Sequence, residues 1–310
     1  MPSKPTAAAE ALPPTPANIA RGIAAFCLSA LLFSAMYAVV KHLGHKFPTI
    51  QVQFFRGLIA LLLMMPIFAI QGFDLMRTRR PWGHASRSLA GIASMFCTFT
   101  AFAHLPLADV TALLFAMPLF VTALSVPLLG EPVGWRRWAA VIVGFLGVLV
   151  ILQPVAISGG GQIHWLYLMP LLAAFLYSLA TIALRQLGAT ERTMTTVFYF
   201  TLSVTVVTGL LLPFNWRTPV GTEWFWLVAV GVLGGVAQIF LVMSYRFAPA
   251  AIAAPFEYTA LVWTILFGIV FWQEMPTVTM LAGAGVVIAA GLFILYRETR
   301  QRARTGAAAP

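Results

Sequence analysis

The chain is a succession of apolar blocks, each about twenty residues long, joined by short connections that hold most of its charge. At ~1.5 Å of rise per helical residue, such a block crosses the ~30 Å hydrocarbon core of a bilayer. Repeated blocks of this kind predict membrane-spanning helices at residues 19–40, 49–70, 85–104, 107–129, 136–153, 164–184, 195–214, 223–244, 251–272 and 277–296. Composition agrees, with 60% hydrophobic and 9% charged residues against about 25% charged in a soluble domain. The expected fold is an all-α polytopic membrane protein of ten transmembrane helices. Residues 1–18, rich in Pro and Ala and without periodicity, read as a disordered tail. Residues 297–310 read as a basic tail. The first block is too long for the apolar core of a signal peptide and has no small-residue cleavage site after it.

The formal charge of +10 raises the question of nucleic acid, whose usual partner is a basic surface. Position decides against it, because the basic residues sit in the short connections that the insertion machinery reads. With the N-terminus inside, Lys41, Lys46 and Arg217 fall outside and Arg56 falls within span two. The remaining fifteen of the 19 Lys and Arg lie in the inside segments or at their helix ends. That bias predicts both termini cytoplasmic, and missing one span would put the later basic clusters on the wrong side. Arg outnumbers Lys in an Ala-rich chain, which suits a GC-rich bacterial genome and hence the bacterial inner membrane. Cys27 and Cys97 fall within apolar blocks and read as small buried hydrophobes rather than a redox pair.

A repeat is visible inside the chain. Near Gly130-Glu131-Pro132 and again near Gln273-Glu274-Met275-Pro276, a span ends in a Glu-containing turn and a Gly/Ala-rich span follows. The two Glu residues lie 143 positions apart, close to half the apolar region. An odd number of crossings leaves the chain on the opposite side, so a five-span unit duplicated in tandem has an inverted second copy. The first turn is followed by Arg136-Arg137 and its counterpart by no Lys or Arg, as that inversion requires.

The run Pro118-Leu119-Phe120-Val121, closed by Leu129-Gly130-Glu131 and followed by a helix with Gly144 and Gly147, resembles the signature of the EamA family of the drug/metabolite transporter superfamily. Arg56, seven residues into span two, matches that family's usual arginine. The segment Ala254-Pro255-Phe256-Glu257-Tyr258-Thr259 is similar to one found in a subset of members. The resemblance covers residues 19–153 and 164–296 as two five-helix repeats, and departs from the pattern at Leu261 and Gln273-Glu274. It implies a secondary transporter of a small organic metabolite, with spans 1, 3, 4, 6, 8 and 9 lining a cavity. Members carry amino acids, nucleosides, riboflavin or S-adenosylmethionine. A flat heterocycle of the riboflavin or S-adenosylmethionine kind is the first expectation here, and an amino acid or drug exporter is the alternative.

Inverted repeats commonly place the substrate near the bilayer midplane, between the halves. In span four, Ala108, Thr111, Phe115, Pro118, Thr122 and Ser125 recur at three- and four-residue spacing and would share one helical face; Ala250, Ala254, Glu257, Leu261, Thr264 and Gly268 do so in span nine. Either stripe could face a wet cavity or a close helix contact. Glu257 is the sharpest single signal, since a carboxylate at that depth is expensive. It would suit proton coupling, a cationic group of the substrate, or a structural hydrogen bond. Arg56 lies deep enough to need a partner, a capped carbonyl or a cavity. Asp109, Pro118, Glu131 and Glu274 read as structural or gating residues. Tyr37, Phe115, Tyr177, Phe256, Tyr258 and Trp263 are candidates for stacking on a flat substrate, and Gln238 for an orienting hydrogen bond.

An enzyme would need a clustered constellation, and none is found: the five His residues sit at or near span ends and there is no metal-ligand or phosphate-binding motif. A channel-like pore would need charged rings or a repeated filter segment. No cofactor and no metal is expected. The expected partners are a small-molecule substrate, membrane lipid, protons as coupling ion, and a second copy of the chain packed through the Gly/Ala-rich spans five and ten.

Overall fold

The computed structural model describes residues 15–71, 78, 80–131, 133–158, 165–188, 191 and 193–306, and among them the chain is helical with no strand. The tail up to residue 14, the segments carrying Arg77, Arg79, His164 and Arg192, Pro132 of the first Glu turn, and residues 307–310 lie outside the described residues. The helices are α1 (Pro16–Gly44), α2 (Thr49–Gln71), α3 (Pro81–His104), α4 (Leu107–Leu114), α5 (Met117–Leu129), α6 (Trp135–Ser158), α7 (Leu168–Gly188), α8 (Thr193–Leu211), α9 (Glu223–Phe247), α10 (Ala250–Ala253), α11 (Thr259–Trp272) and α12 (Val278–Gly306). Nine helical segments among the described residues are long and apolar enough to cross a membrane, so the protein is a multi-pass membrane protein. The 24-residue α3 is not one of the nine; it carries His84, Arg87 and three serines.

Local chemistry sets the ends. Thr15 accepts the Asn18 N–H at 3.3 Å and Pro16 opens the first turn, which starts α1 three residues before the expected Ile19. Pro81 opens α3 in the same way, four residues before the expected start. The basic tail expected from residue 297 is instead the last stretch of α12 as far as Gly306, because Arg, Glu, Gln and Ala are good helix formers and nothing there breaks the helix.

Two spans expected as continuous helices are broken. Phe115 and Ala116 form a turn between α4 and α5, with Pro118 at the start of α5 where its missing N–H is harmless. Between α10 and α11 the chain makes a tight 3-10 turn, Ala254–Tyr258, with Pro255 at its start. The small and polar stripes drawn along uninterrupted helices are therefore not single faces. Moreover, Thr111, Thr122, Ser125 and Thr264 are buried, and their hydroxyls donate to carbonyls of their own helices at 2.9 to 3.1 Å.

The breaks correspond: Phe115–Ala116 and Tyr258–Thr259 are 143 positions apart. So do the helix ends. Gly130 and Gln273 both adopt left-handed backbone, at φ 66° and 58°. The following N–H closes back onto the helix in both, Glu131 to Ser125 at 3.3 Å and Glu274 to Gly268 at 3.0 Å, the bond of a Schellman end. Between helices, Ser29 donates to the Ala237 carbonyl at 2.9 Å and Ser94 to that of Ala173 at 2.8 Å. Ala173 lies 144 positions after Ser29, and Ala237 143 after Ser94, so one contact is made twice with donor and acceptor exchanged.

Packing crosses the sequence midpoint. α1 lies on α9 and α11, α7 on α3 and α5, α2 on α8 and α9, and α6 on α12. Both large buried clusters, one around α6 and α12 and the other around α1, α3 and α9, draw on both halves. Lipid tails are as apolar as Leu, so such packing depends on close contact rather than water exclusion. The α6–α12 seam shows it: a Cβ at Gly283 would come within 2.7 Å of the Gly147 carbonyl. Gly144, Gly147 and Gly283 of these spans thus pack within the chain, while Gly285 of α12 and Ile142, Val143, Leu146 and Leu149 of α6 face outward.

Candidate functional site

At one end of the bundle Lys41 of α1 forms an ion pair with Glu274, in the turn after α11, and donates to the Leu105 carbonyl at 2.6 Å. The other oxygen of Glu274 accepts the N–H of Leu107 at 3.1 Å, placing a negative charge on the N-terminus of α4, where the helix dipole favours it. Asp109, two residues on in the same first turn, accepts from the Tyr167 hydroxyl at 3.1 Å rather than pairing with Lys41 or Arg56. At the equivalent place in the other half, Arg185 of α7 stands 4.0 Å from Glu131 and 3.7 Å from Glu298. Arg185 lies 144 positions after Lys41, and Glu274 143 after Glu131. The two pairs differ in closure: Lys41 and Glu274 are 7% and 24% exposed, Arg185 and Glu131 34% and 42%.

Between these ends lies a polar centre. Glu257, in the broken segment before α11, is exposed although its electrostatic neighbours include Tyr37 of α1, Tyr177 of α7 and Tyr245 of α9. Tyr177 is 49% exposed and lies within electrostatic reach of Glu257, Arg87 and Arg56. Side chains from several segments of the bundle thus form one polar region around Glu257. Two aromatic groupings are packed within the bundle, with Phe102 and Phe115 buried in its two large clusters. Tyr37 stacks on Phe102 at 4.1 Å and beside Phe33 at 6.5 Å. Phe115 meets Tyr258 edge-on at 4.9 Å; these residues are 143 positions apart, so equivalent rings touch each other.

Of the other candidates, Phe256 packs with Phe26, Ala248 and Ala253 and Trp263 is half-buried in α11. Gln238 lines a narrow crevice between α2, α8 and α9 together with Arg56 and Thr201. Arg56 is 6% exposed and its Nε has no hydrogen-bond partner. No Arg56–Glu257 ion pair forms among the described residues. Sequence reasoning missed Arg87, which it counted as a topology charge. The guanidinium sits over the Phe200 ring at 4.4 Å, with Nε and Nη1 buried and without partners. The signal was Pro81, which as a helix opener moves the start of α3 back and carries Arg87 two turns into the helix. Among the described residues no group of three or more His, Cys, Asp or Glu could hold a metal.

Comparison with known proteins agrees with this architecture. The sequence model of the EamA-like transporter family matches residues 20–153 and again 164–296. A riboflavin transporter of Rhizobium johnstonii is 31% identical over 277 residues, 88% of this chain and 90% of its own. An S-adenosylmethionine uptake transporter of Rickettsia felis is 30% identical, covering 91% and 95%. A pseudopaline exporter of Pseudomonas aeruginosa is 32% identical, covering 90% and 97%. A crystal structure that is 22% identical superposes with a TM-score of 0.62 over 91% of this chain and 98% of its own, a likeness of fold alone. With both halves matched in tandem and relatives alike over nearly their whole length, this chain belongs to the EamA-like transporter family.

Proposed function

We propose that the protein is a secondary transporter of a small organic metabolite, built as ten spans in two inverted five-helix halves and working by alternating access. The contact of Phe115 with its equivalent Tyr258 at 4.9 Å carries the reading, because equivalent residues touch only where a two-fold axis relates the halves. The exchanged serine bonds and the matched helix breaks support the same axis. Each ion pair joins one half to the other, Lys41–Glu274 at one end and Arg185–Glu131 at the opposite end. Rocking one half against the other would tighten one pair as it opens its equivalent. The part-buried Lys41–Glu274 pair marks the closed end. With the basic bias of the connections inside, that end faces out, the termini lie in the cytoplasm of a bacterial cell, and this conformer is closed to the outside.

Glu257 is the coupling residue in this reading: exposed among tyrosines of three other helices, it would line the substrate path and take up and release a proton as the access side changes. The half-buried rings of Tyr37 and Tyr258 suit a substrate with a flat ring system, in keeping with relatives named for riboflavin and S-adenosylmethionine. A thermal-stability screen of the purified protein with a metabolite panel tests this, since a ligand that prefers the folded state raises apparent stability by mass action. Hits then go to proteoliposomes. Saturable uptake of a stabilising compound is expected; uptake that rises linearly with concentration would indicate a channel-like pore instead.

A further inference from the structure

From one end of the α6–α12 seam we infer a binding site for the phosphate of an anionic phospholipid, held by Arg136 of α6 and Arg297 of α12. Gly134, Trp135, Arg136, Arg137 and Arg297 line a cavity of about 110 Å³ there, with no acid among them. The nearest acids in sequence, Glu131 and Glu298, stand 4.0 and 3.7 Å from Arg185 of α7. Forked guanidinium groups suit a phosphate, and the N-terminus of the 24-residue α6 adds the positive end of its dipole. A basic excess on one side is the common rule of membrane insertion. That rule asks for charge near this end, not for three guanidinium groups from two helices around one cavity. The repeat sharpens the contrast: α12 begins 143 positions after α6, and positions 277–280 and 154, the equivalents of 134–137 and 297, carry no charged residue.

The surface running away from the cavity suits an amphiphile. Trp135, Trp138, Ile142, Leu146 and Leu149 recur at three- and four-residue spacing along α6 and are all exposed, so an apolar track leads from the arginines into the hydrocarbon. Leu292 and Phe293, just before Arg297 on α12, are exposed as well. Trp135, Trp138 and Tyr296 form an exposed aromatic group of the kind that sits at headgroup level, and the Arg136 guanidinium lies 5.4 Å from the centre of the Trp135 ring. Acyl chains on that track would leave the phosphate beside Arg136 and Arg297, joining the first half of the chain to the second. A free phosphate shares the anionic chemistry but makes no use of the track. The site employs none of the residues proposed for transport and holds for any cargo.

The experiment measures thermal stabilisation of the full-length protein in neutral detergent by phosphatidylglycerol, by phosphatidylcholine with the same acyl chains, and by inorganic phosphate. Phosphatidylglycerol is expected to bind about fivefold or more tightly than phosphatidylcholine. Arg136→Gln and Arg297→Gln should each remove most of that preference, and Arg136→Lys should keep part of it. Arg300→Gln is the control. It removes the same charge one turn beyond Arg297, where the guanidinium donates to the Tyr296 hydroxyl at 3.3 Å and does not line the cavity, and it should leave the preference intact. The unliganded midpoint of each variant reports folding separately. Equal binding of the two lipids overturns the site, and so does an equal loss in Arg300→Gln, which would mean diffuse surface charge alone. Stabilisation by inorganic phosphate at the concentration of the lipid, lost in Arg136→Gln, assigns the arginines to a soluble anion and overturns the lipid site too. Each of these failures leaves the transporter reading untouched.

Discussion

Glu257 and Gln273 show how much a single position can carry in this protein. Glu257 stands exposed in the polar centre with three tyrosines from other helices around it. If it exchanges the coupling proton, Glu257→Gln abolishes uptake driven by a pH gradient in proteoliposomes but leaves exchange of labelled for unlabelled substrate. Unchanged gradient-driven uptake would take Glu257 out of the mechanism. Gln273 occupies the left-handed position that Gly130 fills in the first half. A side chain there is strained by about 1 kcal/mol, which glycine avoids. Gln273→Gly should therefore stabilise the protein by about 1 kcal/mol in thermal unfolding, and a midpoint that falls would show that the glutamine side chain holds the turn. The glutamate in both turns was legible as a repeat; what it binds was not, because Lys41 and Leu107 lie more than 160 positions before Glu274 in the chain.

At the scale of elements, glycine decides where two helices may touch. Gly147 of α6 and Gly283 of α12 meet backbone to backbone, and a Cβ on either would stand 3.0 Å or less from the other's carbonyl oxygen. Gly147→Leu or Gly283→Leu should therefore destabilise the fold by about 2 kcal/mol through overpacking. A lowered unfolding midpoint in detergent checks this, against Gly285→Leu on the open face of the same helix, where a Cβ meets nothing within 4 Å. The positions of the helices were readable from apolar runs, since the bilayer sets their apolar length, but the polar extensions of α1, α3 and α12 were not. The breaks in the fourth and ninth spans were not: Pro118 and Pro255 mark the neighbourhood, but the turn at Phe115–Ala116 precedes Pro118 and the turn at Ala254–Tyr258 follows from Pro255 onward. A proline says that a helix cannot run through it unchanged, and its surroundings decide on which side the chain gives way.

For the whole molecule, the proposed cycle turns on the unequal ion pairs, Lys41–Glu274 and Arg185–Glu131. Removing one partner of the part-buried Lys41–Glu274 pair should lower the unfolding midpoint, and Lys41→Ala should shift the population toward the form open at that end. Labelling of a cysteine placed at Tyr37 by a membrane-impermeant maleimide from outside should rise in that variant. A Lys41→Cys, Glu274→Cys pair joined by a disulfide should block transport and recover it on reduction; transport that continues while the link is intact would show that this end never opens. The two sequence halves are not separate domains, since each buried cluster draws on both, and neither half should fold when expressed alone.

By itself the sequence determined the solvent, the helix content, the repeat and the family resemblance, because apolar run length, charge placement and local spacing are properties of neighbouring residues. It also named Glu257 and Arg56 as costly groups, since hydrocarbon penalises charge wherever it falls. Only the tertiary structure decided that Arg56 and Glu257 form no ion pair, that Arg87 lies over the Phe200 ring, and that Thr111, Thr122 and Ser125 are buried. It also decided that the Gly-rich faces of α6 and α12 meet each other. Those outcomes depend on helices crossing from opposite halves, over separations that no local pattern in the chain encodes.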